Sequence, residues 1–465
     1  MNTTRRSFLV TTAGLTLAGA HSYAASAASP NNTINVAIIG CGNQGFWHLN
    51  AFPQCREVRI AAVCDVNAKR MAEARQQAGG EKVFASSDYR KLLERKEIDA
   101  VIIATADHWH ALPAIHACQA GKDVYVEKPL ATSIGEGRAV VRAARKYKRI
   151  VQIGTQQRTW PHYIEAMDLI RSGALGEISE VKVWDYDYVY PGFGCPPDSE
   201  PPPELDWEMY LGPSPKVPYN VNRYNGTALS GARITASPKG LYAATGYTFP
   251  THHLFFDYGG GWPVDWGVHH YPIVHCALGV EAPVAATGVG GFFTFEKTNI
   301  EWPETFEGIL EYPAGPVAKK GFLLQYSSRL GCRREQVCHG KCFFGTEASL
   351  LLHRAGYTVT PESRKKKIAM KGKEQTVDNT YAGNVHVESV LAHAKVFLES
   401  MRTRKRPPAD VEFGHRGTNP GHLMNIAWRV GRKIRWDAAK EVVLDDPEAN
   451  ALVTKSYRAP WKLEV

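Results

Sequence analysis

The sequence predicts a doubly wound parallel α/β domain followed by a second domain of different pattern. Three observations carry that expectation. Apolar runs rich in β-branched residues, at 34–39, 58–63, 100–104 and 123–126, alternate with helix-like stretches over about 120 residues. The first run passes into a glycine-rich turn that opens a helical pattern. Beyond about residue 155 this alternation stops, and the chain of 465 residues is too long for one core at ~150 residues per domain.

The chain opens with an address rather than a fold. Thr4-Arg5-Arg6-Ser7-Phe8-Leu9 places paired arginines before a weakly apolar stretch from Phe8 to Ala20, well short of the ~20 residues a spanning helix needs. Ala25-Ser26-Ala27 fits an A-x-A cleavage site, so residues 1–29 read as a twin-arginine signal peptide, with the mature chain starting near Ala28. The Tat export machinery is the partner this implies, and a periplasmic or otherwise exported location follows. No later segment is long and apolar enough to span a membrane. The net charge of +9 is a mild excess, densest at Arg364-Lys365-Lys366-Lys367 near Lys371 and Lys373. No aromatic residues interleave there, so the run reads as a solvated loop rather than a nucleic-acid patch.

Nine cysteines cannot all pair. Cys41, Cys64 and Cys118 fall on predicted elements, where cysteine acts as a small hydrophobe. Cys332, Cys338, His339 and Cys342 match no common zinc spacing; one disulfide within the cluster is the better expectation for an exported chain.

The strand at 34–39 leads into Gly40-Cys41-Gly42-Asn43-Gln44-Gly45 and then a helix-like stretch through His48, Leu49 and Phe52. Strand, G-x-G-x-x-G, helix is the Rossmann order: the glycines give the tight turn, admit a pyrophosphate and let the helix pack on the strand. The helix N-terminus, near Asn43 and Gln44, offers free N–H groups to phosphates. The second strand ends at Asp65, twenty residues after Gly45. A carboxylate there accepts hydrogen bonds from the adenosine ribose and repels a 2′-phosphate, which favours NAD over NADP. A helix through Met71 and Ala74, a short strand near Val83 and Phe84, and a helix from Asp88 to Glu94 lead to the strand Ala100 to Ala104. Thr105, His108 and His110 follow at its carboxyl end, where such sheets bind ligands. After a helix from Pro113 to Ala120, the strand Asp123 to Val126 ends in Glu127-Lys128-Pro129.

At that tripeptide the chain resembles the glucose–fructose oxidoreductase/inositol dehydrogenase family, often called Gfo/Idh/MocA. The likeness rests also on Gln152-Ile153-Gly154-Thr155-Gln156-Gln157-Arg158, Asp265-Trp266-Gly267-Val268-His269, and the Gly414-His415-Arg416 and Asn425-Ile426-Ala427 stretches. It implies an NAD-binding Rossmann domain over 30–155 and an α+β substrate-binding and oligomerisation domain over 156–465, built on a large open, mostly antiparallel sheet. It further implies that Glu127, Lys128 and Gln156 lie at the cofactor, that Arg158 and His270 bind substrate, and that Lys128, Asp265 and His269 are catalytic. Asp265 and His269, four apart, are expected on one helix face. Hydride leaves a carbinol carbon as its O–H proton is withdrawn, which asks for a base such as histidine and a cation such as lysine. One departure stands out: three residues after His269, often aspartate in this family, is Pro272.

The second domain begins with a helix from His162 to Arg171 and an alternating strand from Val181 to Tyr188. Residues 191–218 hold nine prolines with Trp207 and Tyr210, a composition that reads as irregular or extended. Similar stretches in exported relatives imply an ordered arm over the site or a subunit interface. The insertion that follows contains His252, His253 and Asp257, but adjacent histidines diverge in most backbones, so no metal is expected. Strands are predicted at 283–288, 306–312 and 322–327. The family's use of its open sheet implies a homo-dimer or homo-tetramer. Val390, Leu391, Ala394, Phe397, Leu398 and Met401 fall at helical spacing, as core residues do.

The reaction expected is hydride transfer between NAD and a hydroxyl of a sugar, polyol or sugar derivative. Export sharpens it, because free NAD is scarce outside the cytoplasm and a retained cofactor must be reduced and reoxidised within one cycle. Glycoside cleavage by transient oxidation and elimination is the alternative, although the histidine-glycine cluster usual in such relatives is not evident before Asp265. A non-catalytic dinucleotide- or sugar-binding protein is a third reading, which has no need of the Lys-Asp-His trio.

Overall fold

A computed structural model describes residues 33–465 apart from 227, 230–249, 334, 336 and 363–382. The leader and the Arg364–Lys373 basic run lie outside the described residues.

The N-terminal sheet contains β1 (Ile34–Ile39), β2 (Val58–Cys64), β3 (Phe84–Ser86), β4 (Ala100–Ile103), β5 (Asp123–Val126) and β6 (Val151–Ile153). Their order is β3-β2-β1-β4-β5-β6, and every pair is parallel. The sequence shows why. Alternate residues of β1 enter opposite apolar layers, Val36 and Ile38 on one side and Ala37 and Ile39 on the other, so both faces of the sheet are covered. The order reverses between β1 and β4, which opens a crevice at their carboxyl ends.

The second sheet has nine strands: β7 (Ile178–Tyr186), β8 (Ala285–Gly291), β9 (Thr305–Tyr312), β10 (Phe322–Arg329), β11 (His339–Gly345), β12 (Ala348–His353), β13 (Gly356–Pro361), β14 (Ile434–Asp437) and β15 (Val442–Leu444). Its order is β13-β12-β11-β7-β10-β9-β8-β14-β15; only β7 and β10 pair in parallel. One face packs under the helices Pro161–Arg171, Tyr271–Leu278 and Val411–Val430, and Phe306, Leu310, Leu324 and Tyr326 form the core there. Val289, Ile309 and Leu323 stand exposed on the sheet.

Three features depart from the sequence reading. The cysteine-bearing stretch enters a strand, β11, and Cys332, Cys338 and Cys342 are not joined in disulfides, so the expected disulfide is not formed. The Gly383–Thr403 helix buries Ala394, Phe397 and Leu398 against Val36, Ile38 and Tyr125 of the first domain, so the chain beyond 155 returns to the Rossmann core. The Val411–Val430 helix was hidden by Gly414, Gly417, Gly421 and Pro420, poor helix formers by propensity. Packing explains those glycines: a Cβ at Gly417 would run into the Pro272 ring, and one at Gly421 into the Pro263 carbonyl. Among the described residues no helix is long and apolar enough to cross a membrane.

Candidate active site

The glycine turn is built as its motif requires. Gly40 has φ +91°, which a side chain rarely tolerates, and a Cβ at Gly45 would collide with the Gly40 carbonyl oxygen. The Asn43–Ala51 helix starts directly after Gly42, and no side chain caps that end. Asp65 Oδ2 accepts the Cys41 N–H at 2.6 Å and Oδ1 accepts the Asn67 N–H at 2.7 Å. The carboxylate thus ties the glycine turn to the end of β2, and its remaining lone pairs can still accept from ribose hydroxyls.

Several buried polar atoms at this crevice have no hydrogen-bond partner: Asn43 Oδ1, Thr105 Oγ1, His108 Nδ1 and Thr155 Oγ1. Each such atom costs ~1–3 kcal/mol if left unsatisfied. A dinucleotide, rich in donors and acceptors, would satisfy them, so the residues present fit that group.

Glu127, at the end of β5, is almost fully buried and clamped. Its Oε1 is met by His48 Nε2 at 2.8 Å, Gln44 Nε2 at 3.0 Å and Gln156 Nε2 at 3.2 Å. Burial alone would raise its carboxyl, but His48 and Lys128 outweigh that and hold it below the ordinary range. A Cβ at Gly154 would lie 2.6 Å from this carboxylate, so glycine is needed opposite it. Gln44 and Gln156, expected at the cofactor, therefore spend a hydrogen bond on Glu127, which fixes the loop that carries Lys128.

Lys128 Nζ donates to Asp265 Oδ1 at 2.5 Å and to the Asp265 carbonyl at 3.1 Å. Burial would lower its ammonium, but Asp265 more than compensates and the group is held charged. His269 is buried with Nδ1 unpartnered, and burial, followed by the charge of Lys128, pushes it well below its usual value. Asp265 and His269 do not share one helix face. The helix Gly261–Asp265 ends there, and a separate 3₁₀ turn, Gly267–His269, carries the histidine. The backbone tightens at Gly267, a poor helix former: the His269 N–H donates to the Trp266 carbonyl at 2.9 Å and the His270 N–H to the Gly267 carbonyl at 2.8 Å, 3₁₀ bonds that rotate the histidine away from the face of Asp265.

Other expected residues are placed differently. His110 offers no free nitrogen, since Nδ1 meets the Pro129 carbonyl at 2.6 Å and Nε2 the Thr105 carbonyl at 3.2 Å. It pins the loop rather than a cofactor. Arg158 lies over the Phe413 ring, its guanidinium 5.7 Å from the ring centre. His270 Nε2 meets Asp185 Oδ1 at 2.9 Å, and His339 Nδ1 meets the same oxygen at 3.1 Å. Burial brings His270 down to about 4.

The proline-rich arm is ordered and lies on the Rossmann domain. The Ala68 N–H donates to the Glu204 carbonyl at 2.8 Å and the Asp206 N–H to the Val66 carbonyl at 2.9 Å, just past Asp65. Leu205, Tyr210 and Tyr219 pack with Val66 and Ala106, and the Tyr210 carbonyl meets His108 Nε2 at 2.7 Å and Trp109 Nε1 at 2.8 Å.

Sequence reasoning passed over Asp107, which sits between Thr105 and His108 at the end of β4. Its carboxylate meets His253 Nδ1 at 3.0 Å, with His252 Nε2 at 4.0 Å. The two adjacent histidines do not diverge: they lie in a 3₁₀ turn, Thr251–Leu254, with ring centroids 4.0 Å apart. Their carboxylate partner is Asp107, not Asp257. The position of Asp107 at a strand's carboxyl end was the available signal.

Comparison with known proteins agrees with this geometry. Residues 34–155 match the model of the Gfo/Idh/MocA oxidoreductase family's NAD-binding Rossmann fold, and residues 371–463 match its C-terminal alpha/beta domain. Two separate stretches of the chain thus match models of that family, the first of them that of an NAD-binding Rossmann fold. It is 38% identical over 146 residues to inositol 2-dehydrogenase 2 of Saccharopolyspora erythraea, a match covering 31% of this chain and 42% of that protein. It is 30% identical over 154 residues to a glycosyl hydrolase family 109 protein of Shewanella baltica, covering 32% and 34% respectively. The match therefore spans less than half the length of these curated relatives. In fold, the chain is similar to levoglucosan dehydrogenase in complex with NADH and levoglucosan, with TM-score 0.61, 17% identity, and coverage of 87% of this chain and 99% of that one.

Proposed function

We propose that this chain transfers hydride between a tightly held NAD and a hydroxyl-bearing carbon of a sugar, polyol or sugar derivative. The observation that carries the reading is the contact of Lys128 with Asp265 at the mouth of the parallel sheet, beside the buried His269. NAD, when bound, supplies the hydride acceptor. Asp265 holds Lys128 charged, so its ammonium stabilises a substrate oxygen as that oxygen gains negative charge. His269, neutral and with Nδ1 unpartnered beside this pair, takes the hydroxyl proton as hydride leaves the carbon, its basicity reduced by burial. The names of the inositol and levoglucosan dehydrogenases support a polyhydroxylated substrate. Asp65 favours NAD over NADP through repulsion of a 2′-phosphate.

Export by the twin-arginine route into the periplasm belongs to the same reading. A cofactor acquired before export must be retained afterwards, and the arm lying across the end of β2 supports retention. The exposed Val289, Ile309 and Leu323 support burial of the sheet's outer face in a homo-dimer or homo-tetramer. Light scattering should then give a mass of two or four chains; a monomer at micromolar concentration contradicts it.

Glycoside cleavage by transient oxidation is the second reading, favoured by the glycosyl hydrolase family 109 relatives. Screening sugars, polyols and nitrophenyl glycosides separates the two. In either case Lys128→Ala is expected to lower kcat/KM by about 10²–10⁴, and unchanged turnover of every accepted substrate contradicts the catalytic assignment.

A further inference from the structure

Among the described residues, Asp107, His252 and His253 form the one group of three side chains whose ligand atoms all lie within 4.8 Å of one another. They come from opposite domains: Asp107 from the 3₁₀ turn after β4, and the histidines from the turn Thr251–Leu254. All three are largely shielded from solvent, with side-chain exposures of 3%, 13% and 12%. Only one of their mutual contacts is a hydrogen bond, His253 Nδ1 to Asp107 at 3.0 Å; His252 Nε2, at 4.0 Å from the other carboxylate oxygen, is beyond that range. Two imidazoles packed ring on ring beside a carboxylate, away from water, are poorly accounted for by one hydrogen bond.

They are well accounted for by an ion. Zinc-type ions hold nitrogen and oxygen ligands at ~2.0–2.2 Å, so donors sharing one ion lie ~3–4.4 Å apart. The three atoms here need only sub-ångström adjustment to reach that spacing. Two imidazoles and one carboxylate suit zinc, cobalt or nickel rather than magnesium or calcium, which prefer all-oxygen sets.

We propose that Asp107, His252 and His253 bind one divalent transition-metal ion beside the Lys128–Asp265 pair. Three protein ligands leave a coordination position open, the arrangement of catalytic rather than structural sites. Asp265 Oδ1 is 3.8 Å from His253 Nδ1, so the ion borders the space where the substrate hydroxyl is placed above. That assignment of the hydroxyl rests on the proposed function; the binding of the ion does not. A hydroxyl oxygen on the ion loses its proton more readily. The proton passes to His269, and the oxygen keeps the electron pair until hydride departs from its carbon.

The full chain, stripped with chelator and incubated with Zn²⁺ or Co²⁺, is desalted and its metal counted by plasma mass spectrometry, with Co²⁺ absorption as an independent readout. One ion per chain is expected, with intense visible bands from a low-symmetry cobalt site. Asp107→Asn and His252→Ala should each weaken binding by at least about 100-fold, whereas His339→Ala, in the separate Asp185 cluster, should bind as the parent does. Circular dichroism identifies any variant that fails to fold, and His253→Gln then replaces it. No retained ion, or equal retention in the folded ligand variants, overturns the proposal. Lys128→Ala should lower turnover as stated above and keep the ion. Turnover without an ion therefore sinks the metal site alone, and an ion without turnover sinks the catalytic reading alone.

Discussion

Lys128 and Lys341 show how burial sends two ammonium groups in opposite directions. Lys128 gains Asp265 and stays charged. Lys341, fully buried on β11 with Nζ 4.6 Å from the centre of the Tyr163 ring, is lowered by burial, against the partial help of Asp185, to about 7. The unfolded chain therefore binds a proton between pH 7 and 10.5 that the folded chain does not, and the cost of burying the charge is full below pH 7 and fades as pH rises to 10.5. Lys341→Met is expected to raise stability by about 1–4 kcal/mol at pH 6, with the gain shrinking towards pH 10. Urea unfolding at the two pH values checks this, and an equal gain at both contradicts it. At this scale Lys128, Asp265 and His269 were legible because their sequence patterns are specific. Asp107, His252 and His253 were not, because two segments about 145 residues apart meet only after both domains fold. The unbroken helix expected through Asp265 and His269 gives way at Gly267, where the backbone bonds tighten to a 3₁₀ turn.

Elements carry the seam between the domains. The Val411–Val430 helix brings its backbone close to Pro263 and Pro272, and Asn425 Nδ2 donates to the Gly260 carbonyl at 2.6 Å, next to the helix that ends in Asp265. On its other side His422 Nε2 meets the Ala131 carbonyl at 3.1 Å, in the loop after Lys128. One helix thus positions both halves of the Lys128–Asp265 pair. Gly421→Ala is expected to push that helix away from Pro263, costing about 1–3 kcal/mol of stability and lowering kcat more than it raises KM. Thermal unfolding and steady-state kinetics check it; wild-type behaviour in both contradicts this account of the seam. The parallel strands were legible because burial on both faces leaves continuous apolar runs. Strand β11 was missed because its glycines and Cys342 masked the alternation, β12 because Leu351 makes its less buried side apolar too, and the 411–430 helix because its glycines serve packing rather than propensity.

For the whole molecule, the two sheets were predictable in kind, but their division at residue 155 was too simple. The Gly383–Thr403 helix returns to the first core, and the C-terminal Trp461 packs edge-on against Trp109 at 4.9 Å between centroids. The arm crosses in the other direction and bonds the backbone at Val66 and Ala68, just past Asp65. A Rossmann oxidoreductase that keeps its NAD is the function proposed. The most direct test is to purify the mature chain without added nucleotide, denature it, and identify the released dinucleotide by absorbance and mass spectrometry. Close to one NAD or NADH per chain is expected; an empty protein that binds NAD only weakly when it is added back would contradict retention.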